Sequence, residues 1–160
     1  MADRVLGIYL NDHLAGATGG LELARRTLAS NRDSAEFGAP LARICAEIET
    51  DRETLRRLMR ELEVGEDTVK RTAGWLSEKL GRLKLNGQLR GYAPLSRVVE
   101  LEGLSLGISG KAALWRALAQ TLGAEWHGFD FEQLGERARA QRDTVEELRL
   151  KATALALSPP

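Results

Sequence analysis

A stripe of apolar residues with helical spacing runs through residues 41–63 and constrains the fold more than any other feature of the sequence. Most of its members recur at steps of three and four residues, and they are Leu41, Ile44, Ile48, Leu55, Leu58 and Leu62. This spacing predicts one face of a long amphipathic helix. Between Ile48 and Leu55 the face needs an inward residue at position 51 or 52, where the sequence has Asp51 and Arg52. We therefore expect a polar layer inside a helical bundle.

Length and cysteine content restrict the class of protein. A chain of 160 residues is expected to form a single domain, 1–160, that buries about two-thirds of its unfolded surface. Cys45 is the single cysteine, which excludes an internal disulfide. The first residues lack a basic start followed by a long apolar run, so the expected location is the cytoplasm. No apolar run reaches the roughly 18 residues of a membrane span, so no membrane association is expected.

The charge balance argues against a nucleic-acid partner. Lys and Arg together number 23, Asp and Glu together also number 23, and aromatic residues make up 5% of the chain. Proteins that bind nucleic acids usually have an excess of basic charge and aromatic side chains on which bases stack. We therefore expect no nucleic-acid partner.

The sequence predicts five helices and no strand. Pro40 and Pro94 suit the first turn of a helix, and Gly65 and Gly123 suit the position after its end. No segment alternates apolar and polar residues between turn residues, so the fold class is all-α. The short predicted helix is the third of the five, and the predicted segments are 4–29, 40–65, 67–85, 94–123 and the segment from Asp130 to the chain end.

Two pairs of glycines lie within the first and fourth predicted helices. Gly16 and Gly20 are four residues apart, and so are Gly103 and Gly107. A glycine inside a helix costs about 1 kcal/mol relative to alanine, so we expect these glycines to permit close backbone approach. The first and fourth helices should cross with all four glycines in the contact, and a Gly20→Leu substitution should destabilise the protein by overpacking.

The order of long, long, short, long and long helices resembles the ferritin-like superfamily over nearly the whole chain. The resemblance implies an up-down-down-up four-helix bundle, with the second and fourth predicted helices parallel and the short helix 67–85 within the crossover. Metal-binding members of the superfamily carry an inward glutamate on each of two helices and Glu-x-x-His on the other two. Those ligands hold two metal ions such as iron or manganese.

The chain departs from this di-metal pattern. It contains no Glu-x-x-His sequence, and its two histidines are His13, in the first helix, and His127, in a turn. The polar residues expected to face the bundle interior are His13, Asp51, Arg52, Glu102 and Gln141. Buried polar groups normally bond to one another, so these residues need no cofactor to explain them. We expect a degenerate metal site.

Three functions are compatible with such a layer. In the first, the protein is a non-catalytic helical bundle with a structural or interaction role, in which Arg52 pairs with Asp51 or Glu102. In the second, it is a divergent di-metal protein that stores iron or manganese or acts as an oxidoreductase. The metal ligands would then be His13, Asp51 and Glu102, together with Glu22 and Glu49. In the third, a small molecule binds at the bundle centre.

The short predicted helix bears on assembly. Its apolar side must be covered by the bundle or by a second copy of the chain, and it consists of Val69, Ala73, Leu76 and Leu80. We expect a homodimer, and the sequence does not identify any other protein partner.

Overall fold

A computed structural model describes residues 4–67 and 92–158 of the chain. The helices are α1 (Arg4–Asn31), α2 (Gly38–Glu61), α3 (Pro94–Leu122) and α4 (Phe131–Leu157), and the strands are β1 (Glu125–Trp126) and β2 (Phe129–Asp130). The all-α class is confirmed for these residues. The predicted crossover helix 67–85 lies, apart from its first residue, outside the described residues. None of the described helices is long and apolar enough to cross a lipid bilayer.

The second helix ends earlier than the sequence predicts. The left-handed residue that follows it is Glu63, with φ 55°, and not Gly65. The Val64 amide then donates to the Met59 carbonyl over 2.8 Å, which satisfies a carbonyl at the helix end. The chain after α2 is held to α1 by Asn11, whose side chain donates to the Gly65 carbonyl over 3.0 Å.

The expectation that no strand is present is wrong at one place. β1 and β2 pair antiparallel, with Trp126 opposite Phe129. The two residues between them, His127 and Gly128, have φ values of 45° and 81°, and positive φ at both positions is what the tightest hairpin turn requires. The short hairpin connects α3 to α4, and Asp130 then accepts a 2.8 Å hydrogen bond from the Gln133 amide at the start of α4.

Contacts between side chains show how the helices lie against one another. Arg25 on α1 lies 2.6 Å from Glu49 on α2, and Arg149 on α4 lies 3.6 Å from Glu102 on α3. Asn11 also bonds to Gly65 just after α2, and Lys111 on α3 bonds to Gln141 on α4. In both cases the partner number falls as the other rises, so each pair of consecutive helices packs as an antiparallel hairpin. The first half of α3 packs against the second half of α1.

A polar network joins α1 to α3. The buried Glu100 accepts from Arg26 over 2.8 Å and from the Tyr92 hydroxyl over 2.7 Å. Asn31 donates to the Tyr92 hydroxyl over 3.1 Å and accepts from Arg97 over 2.6 Å. Burial and the Glu100 carboxylate raise the pKa of Tyr92, which keeps its hydroxyl a proton donor. Each donor and acceptor of this network has a polar partner. A shift of one helix along the other would break these bonds, so the network fixes the register of the two helices.

Candidate functional site

The carboxylate of Asp51 lies at the centre of the bundle and is 3% exposed. Asp51 comes three residues after Ile48 and four before Leu55, which are both buried, so the helical period turns it inward. Two side chains of the other hairpin donate to this carboxylate. Lys111 Nζ donates to Oδ2 over 2.5 Å, and Arg137 Nη2 donates to Oδ1.

Gln141 completes this cluster, which we call the Asp51 network. Its amide nitrogen donates to Asp51 Oδ2 over 3.0 Å, and its amide oxygen accepts from Lys111 Nζ. Arg137 and Gln141 are four residues apart on α4, so both reach the same place. The two oxygens of Asp51 thus receive three donors from two helices, as a buried carboxylate requires.

The charges of the network disfavour an additional cation. Burial lowers the pKa of the Lys111 ammonium, and the adjacent Asp51 carboxylate acts in the opposite direction. Arg137 also lowers the Lys111 pKa, whereas Glu47 raises it. A divalent cation that bound Asp51 would have to displace two basic groups that already bond to its oxygens.

The structure brings together only part of the predicted polar layer. Asp51 and Gln141 bond to each other, as described. The expectation that Arg52 pairs with Asp51 or Glu102 is wrong, because its guanidinium lies 3.0 Å from Glu53 on the same helix. Glu102 is also misplaced in that prediction, since its side chain is 49% exposed and faces Arg149.

The remaining proposed metal ligands are dispersed. His13 is half-buried and its ring packs edge-on against Tyr9, with centroids 4.6 Å apart. Glu22 is exposed, and Glu49 pairs with Arg25. Within residues 4–67 and 92–158, no group of three or more His, Cys, Asp and Glu side chains is placed to hold a metal ion.

A cavity of about 210 Å³ lies beside the Asp51 network, between α1, α2 and α3. The apolar side chains that line it are Ile48, Leu55, Leu104, Ile108, Leu114 and Trp115. Its polar lining is formed by Asp12, His13, Asp51, Arg52 and Lys111. A concave, mainly apolar space with a few convergent polar groups is the usual form of a small-molecule site.

The predicted close contact of four glycines is wrong for three of them. Within residues 4–67 and 92–158, a Cβ atom added at Gly16, Gly20 or Gly107 would meet no neighbouring atom within 4 Å. These residues line the cavity together with Gly110. Only at Gly103 is the packing close, since an added Cβ would lie 3.0 Å from Leu23 Cδ2 on α1. The glycines therefore leave a space between α1 and α3. Alanine at these positions would partly fill that space.

Sequence reasoning missed Lys111 and Arg137. A signal for Lys111 exists, because it lies three residues after Ile108 and three before Leu114, both of which are buried. A basic residue at that spacing falls on the inward side of the helix. Arg137 lies one turn before the inward-facing Gln141, which is the corresponding signal on α4.

No protein-family model matches this chain, and neither does any curated protein or solved structure. Function therefore has to follow from the geometry and chemistry of the site.

His13 is expected to make folding stability depend on pH. Burial lowers its pKa below the ordinary value of about 6.5, although Asp12 acts in the opposite direction. The unfolded chain then binds the proton more readily, so stability falls as the pH drops through about 6.5 toward the lower folded-state pKa. Urea unfolding from about pH 7 to about pH 5 measures this slope.

The matched control uses the other histidine. His13→Gln should flatten the pH dependence of the free energy of unfolding, whereas His127→Gln should retain it, because His127 is exposed on the hairpin turn. Identical slopes for His13→Gln and the unsubstituted protein would contradict this assignment.

Proposed function

We propose that the protein is a non-catalytic, ferritin-like helical bundle with a degenerate metal site and a structural or interaction role. The Asp51 network carries this proposal. A di-metal site needs several carboxylate and imidazole ligands to compensate two divalent cations. Here the central carboxylate bonds instead to Lys111, Arg137 and Gln141, so the protein itself supplies the cations.

The helix directions support an up-down-down-up arrangement. Contacts from Arg26 to Glu100 and from Leu23 to Gly103 make α1 and α3 antiparallel. Since α1 is also antiparallel to α2, and α3 to α4, the second and third described helices run parallel. Parallel consecutive helices need a connection that crosses the length of the bundle, as in ferritin-like folds.

The single cysteine supports a non-catalytic role. Cys45 is buried, and burial raises the pKa of its thiol, with Arg25 acting in the opposite direction. A thiol is a nucleophile only as thiolate, and the raised pKa lowers the thiolate fraction of Cys45 near neutral pH.

We also propose a cytoplasmic homodimer. The predicted contact helix 67–85 lies outside the described residues, but α4 offers a further apolar surface. Leu150 and Leu157 are seven residues apart on one side of α4, and both are exposed. Light scattering at high micromolar concentration should report twice the chain mass.

Metal analysis tests the proposed function. Protein purified without chelator is expected to contain far less than one equivalent of iron or manganese per chain, and titration with either ion should give no saturable binding. Elemental analysis and calorimetry make these measurements. Near-stoichiometric metal that is lost in Asp51→Ala but retained in Glu53→Ala would favour the di-metal alternative.

A further inference from the structure

The cavity beside the Asp51 network has the size of a small ring compound. Its volume is about 210 Å³, and an apolar protein cavity of about 150 Å³ is known to hold benzene. A ligand slightly larger than benzene would therefore fit. Glycines at positions 16, 20, 103, 107 and 110 border this space. Because glycine is unfavourable inside helices, keeping several of them at one cavity has a stability cost that a binding function would explain.

A buried donor at the cavity has no hydrogen-bond acceptor within residues 4–67 and 92–158. Trp115 lines the cavity and is 1% exposed, yet its indole Nε1–H bonds to no atom among the described residues. A buried donor without an acceptor is rare and costly. An acceptor atom on a bound molecule would remove that cost.

Lys111 and Arg52 both line the same space. Lys111 Nζ has three hydrogens, of which Asp51 and Gln141 accept two. Arg52 lies at the cavity with its guanidinium held by Glu53 through Nε and Nη2. These groups favour a ligand that carries acceptor oxygens and negative charge.

Asp51 and Asp12 also line the cavity, and neither prevents an anion from binding there. Asp51 is already saturated by three donors within the Asp51 network. Asp12 is exposed, so solvent screens its repulsion of an anion deeper in the cavity.

We propose that this cavity binds a small carboxylic acid with a ring-sized apolar body, whose carboxylate accepts hydrogen bonds from Lys111 and Trp115. The apolar body lies against the leucine and isoleucine side chains of the cavity wall. The site rests on the proposed function in one respect, because Asp51 and Gln141 hold Lys111 at the cavity. Metal bound at Asp51 would displace Lys111 and overturn both proposals, whereas metal-free protein that does not bind the acid would overturn this one alone.

Titration followed by ¹H–¹⁵N NMR spectra tests the proposal with phenylacetate as the probe. Its matched neutral analogue is 2-phenylethanol, and acetate supplies the carboxylate alone. Phenylacetate is expected to shift the Trp115 indole and Gly107 amide signals in a saturable way. Its dissociation constant should be at least about tenfold lower than that of 2-phenylethanol. Acetate should shift neither signal, and Trp115→Phe identifies the indole resonance.

Cavity-filling variants provide the control. Gly20 lines the cavity, and a Cβ added there would meet no neighbouring atom of the described residues within 4 Å. Gly20→Leu should therefore fold and lose phenylacetate binding, whereas Ala113→Leu, on the exposed side of α3, should bind as before. Lys111→Met should abolish the preference for phenylacetate over 2-phenylethanol. If that variant does not fold, Trp115→Phe should show a weaker form of the same loss.

Three results would each overturn the proposal. One is the lack of saturable shifts with phenylacetate. Another is equal affinity for phenylacetate and 2-phenylethanol. The third is unchanged binding in a folded Gly20→Leu variant.

Discussion

Replacement of Asp51 by leucine is expected to lower the free energy of unfolding by about 3–5 kcal/mol, because it leaves two basic groups without their shared carboxylate. Lys111 is largely buried and Arg137 only partly so, so most of this cost comes from Lys111. The carboxylate also accepts from Gln141, whose amide loses that bond in the variant. Urea unfolding of the intact chain, followed by circular dichroism, measures the change.

Two further variants control for this result. Asp143 is exposed and, among the described residues, pairs with the neighbouring Arg142, so Asp143→Leu should change stability by less than about 0.5 kcal/mol. Combining Asp51→Leu with Lys111→Met and Arg137→Leu should recover most of the lost stability, since apolar groups can replace a complete buried ion network at little cost. A triple variant that is as unstable as Asp51→Leu would contradict the assignment of the loss to unpaired charge.

The combined variant Gly16→Ala, Gly20→Ala and Gly107→Ala is expected to be about 1.5–3 kcal/mol more stable than the unsubstituted protein, at about 0.5–1 kcal/mol for each site. Each alanine removes backbone freedom from the unfolded chain, and each added Cβ lies more than 4 Å from any neighbouring atom of the part of the chain that the structure describes. Thermal and urea unfolding measure the gain. A loss of stability would mean that α1 and α3 pack closely at these glycines.

Two other glycines provide matched controls with a different expected sign. At Gly103 the added Cβ would lie 3.0 Å from Leu23 Cδ2, so the helix-propensity gain should be offset by crowding. At Gly38 it would lie 2.5 Å from the backbone oxygen of Arg32. Because backbone cannot move aside as a side chain does, Gly38→Ala should be destabilising by about 1–3 kcal/mol.

The inward position of Asp51 could be predicted because the apolar stripe of α2 fixes the phase of that helix. The spacing of apolar residues does not fix the phase of α3, which is apolar around much of its circumference. There Leu101 and Leu104 take the buried positions, and the intervening Glu102 turns outward to Arg149. A helix with two apolar sides does not define one phase, so its polar residues cannot be assigned to the interior from spacing alone.

The partners of Asp51 could not be predicted from a single helix. Which basic residue reaches a carboxylate depends on the register between helices, and long lysine and arginine side chains extend inward from the edge of the apolar face.

The close contact of the glycines was predicted wrongly for a related reason. Their spacing places them on one side of α1 and of α3, but whether that side closes or leaves a cavity depends on the side chains around it. The hairpin was missed because His127 occupies a left-handed position that glycine or asparagine usually takes.

The protein's own ion pairs occupy the bundle centre. NMR of the lysine side-chain ammonium groups is the most direct test of this arrangement. A buried ammonium that donates to Asp51 and Gln141 should exchange slowly with water and give a resolved signal. That signal should vanish in Lys111→Met and shift in Asp51→Asn, while exposed Lys151 serves as the fast-exchanging reference. A Lys111 ammonium that exchanges as fast as that of Lys151, and that does not respond to Asp51→Asn, would contradict the Asp51 network.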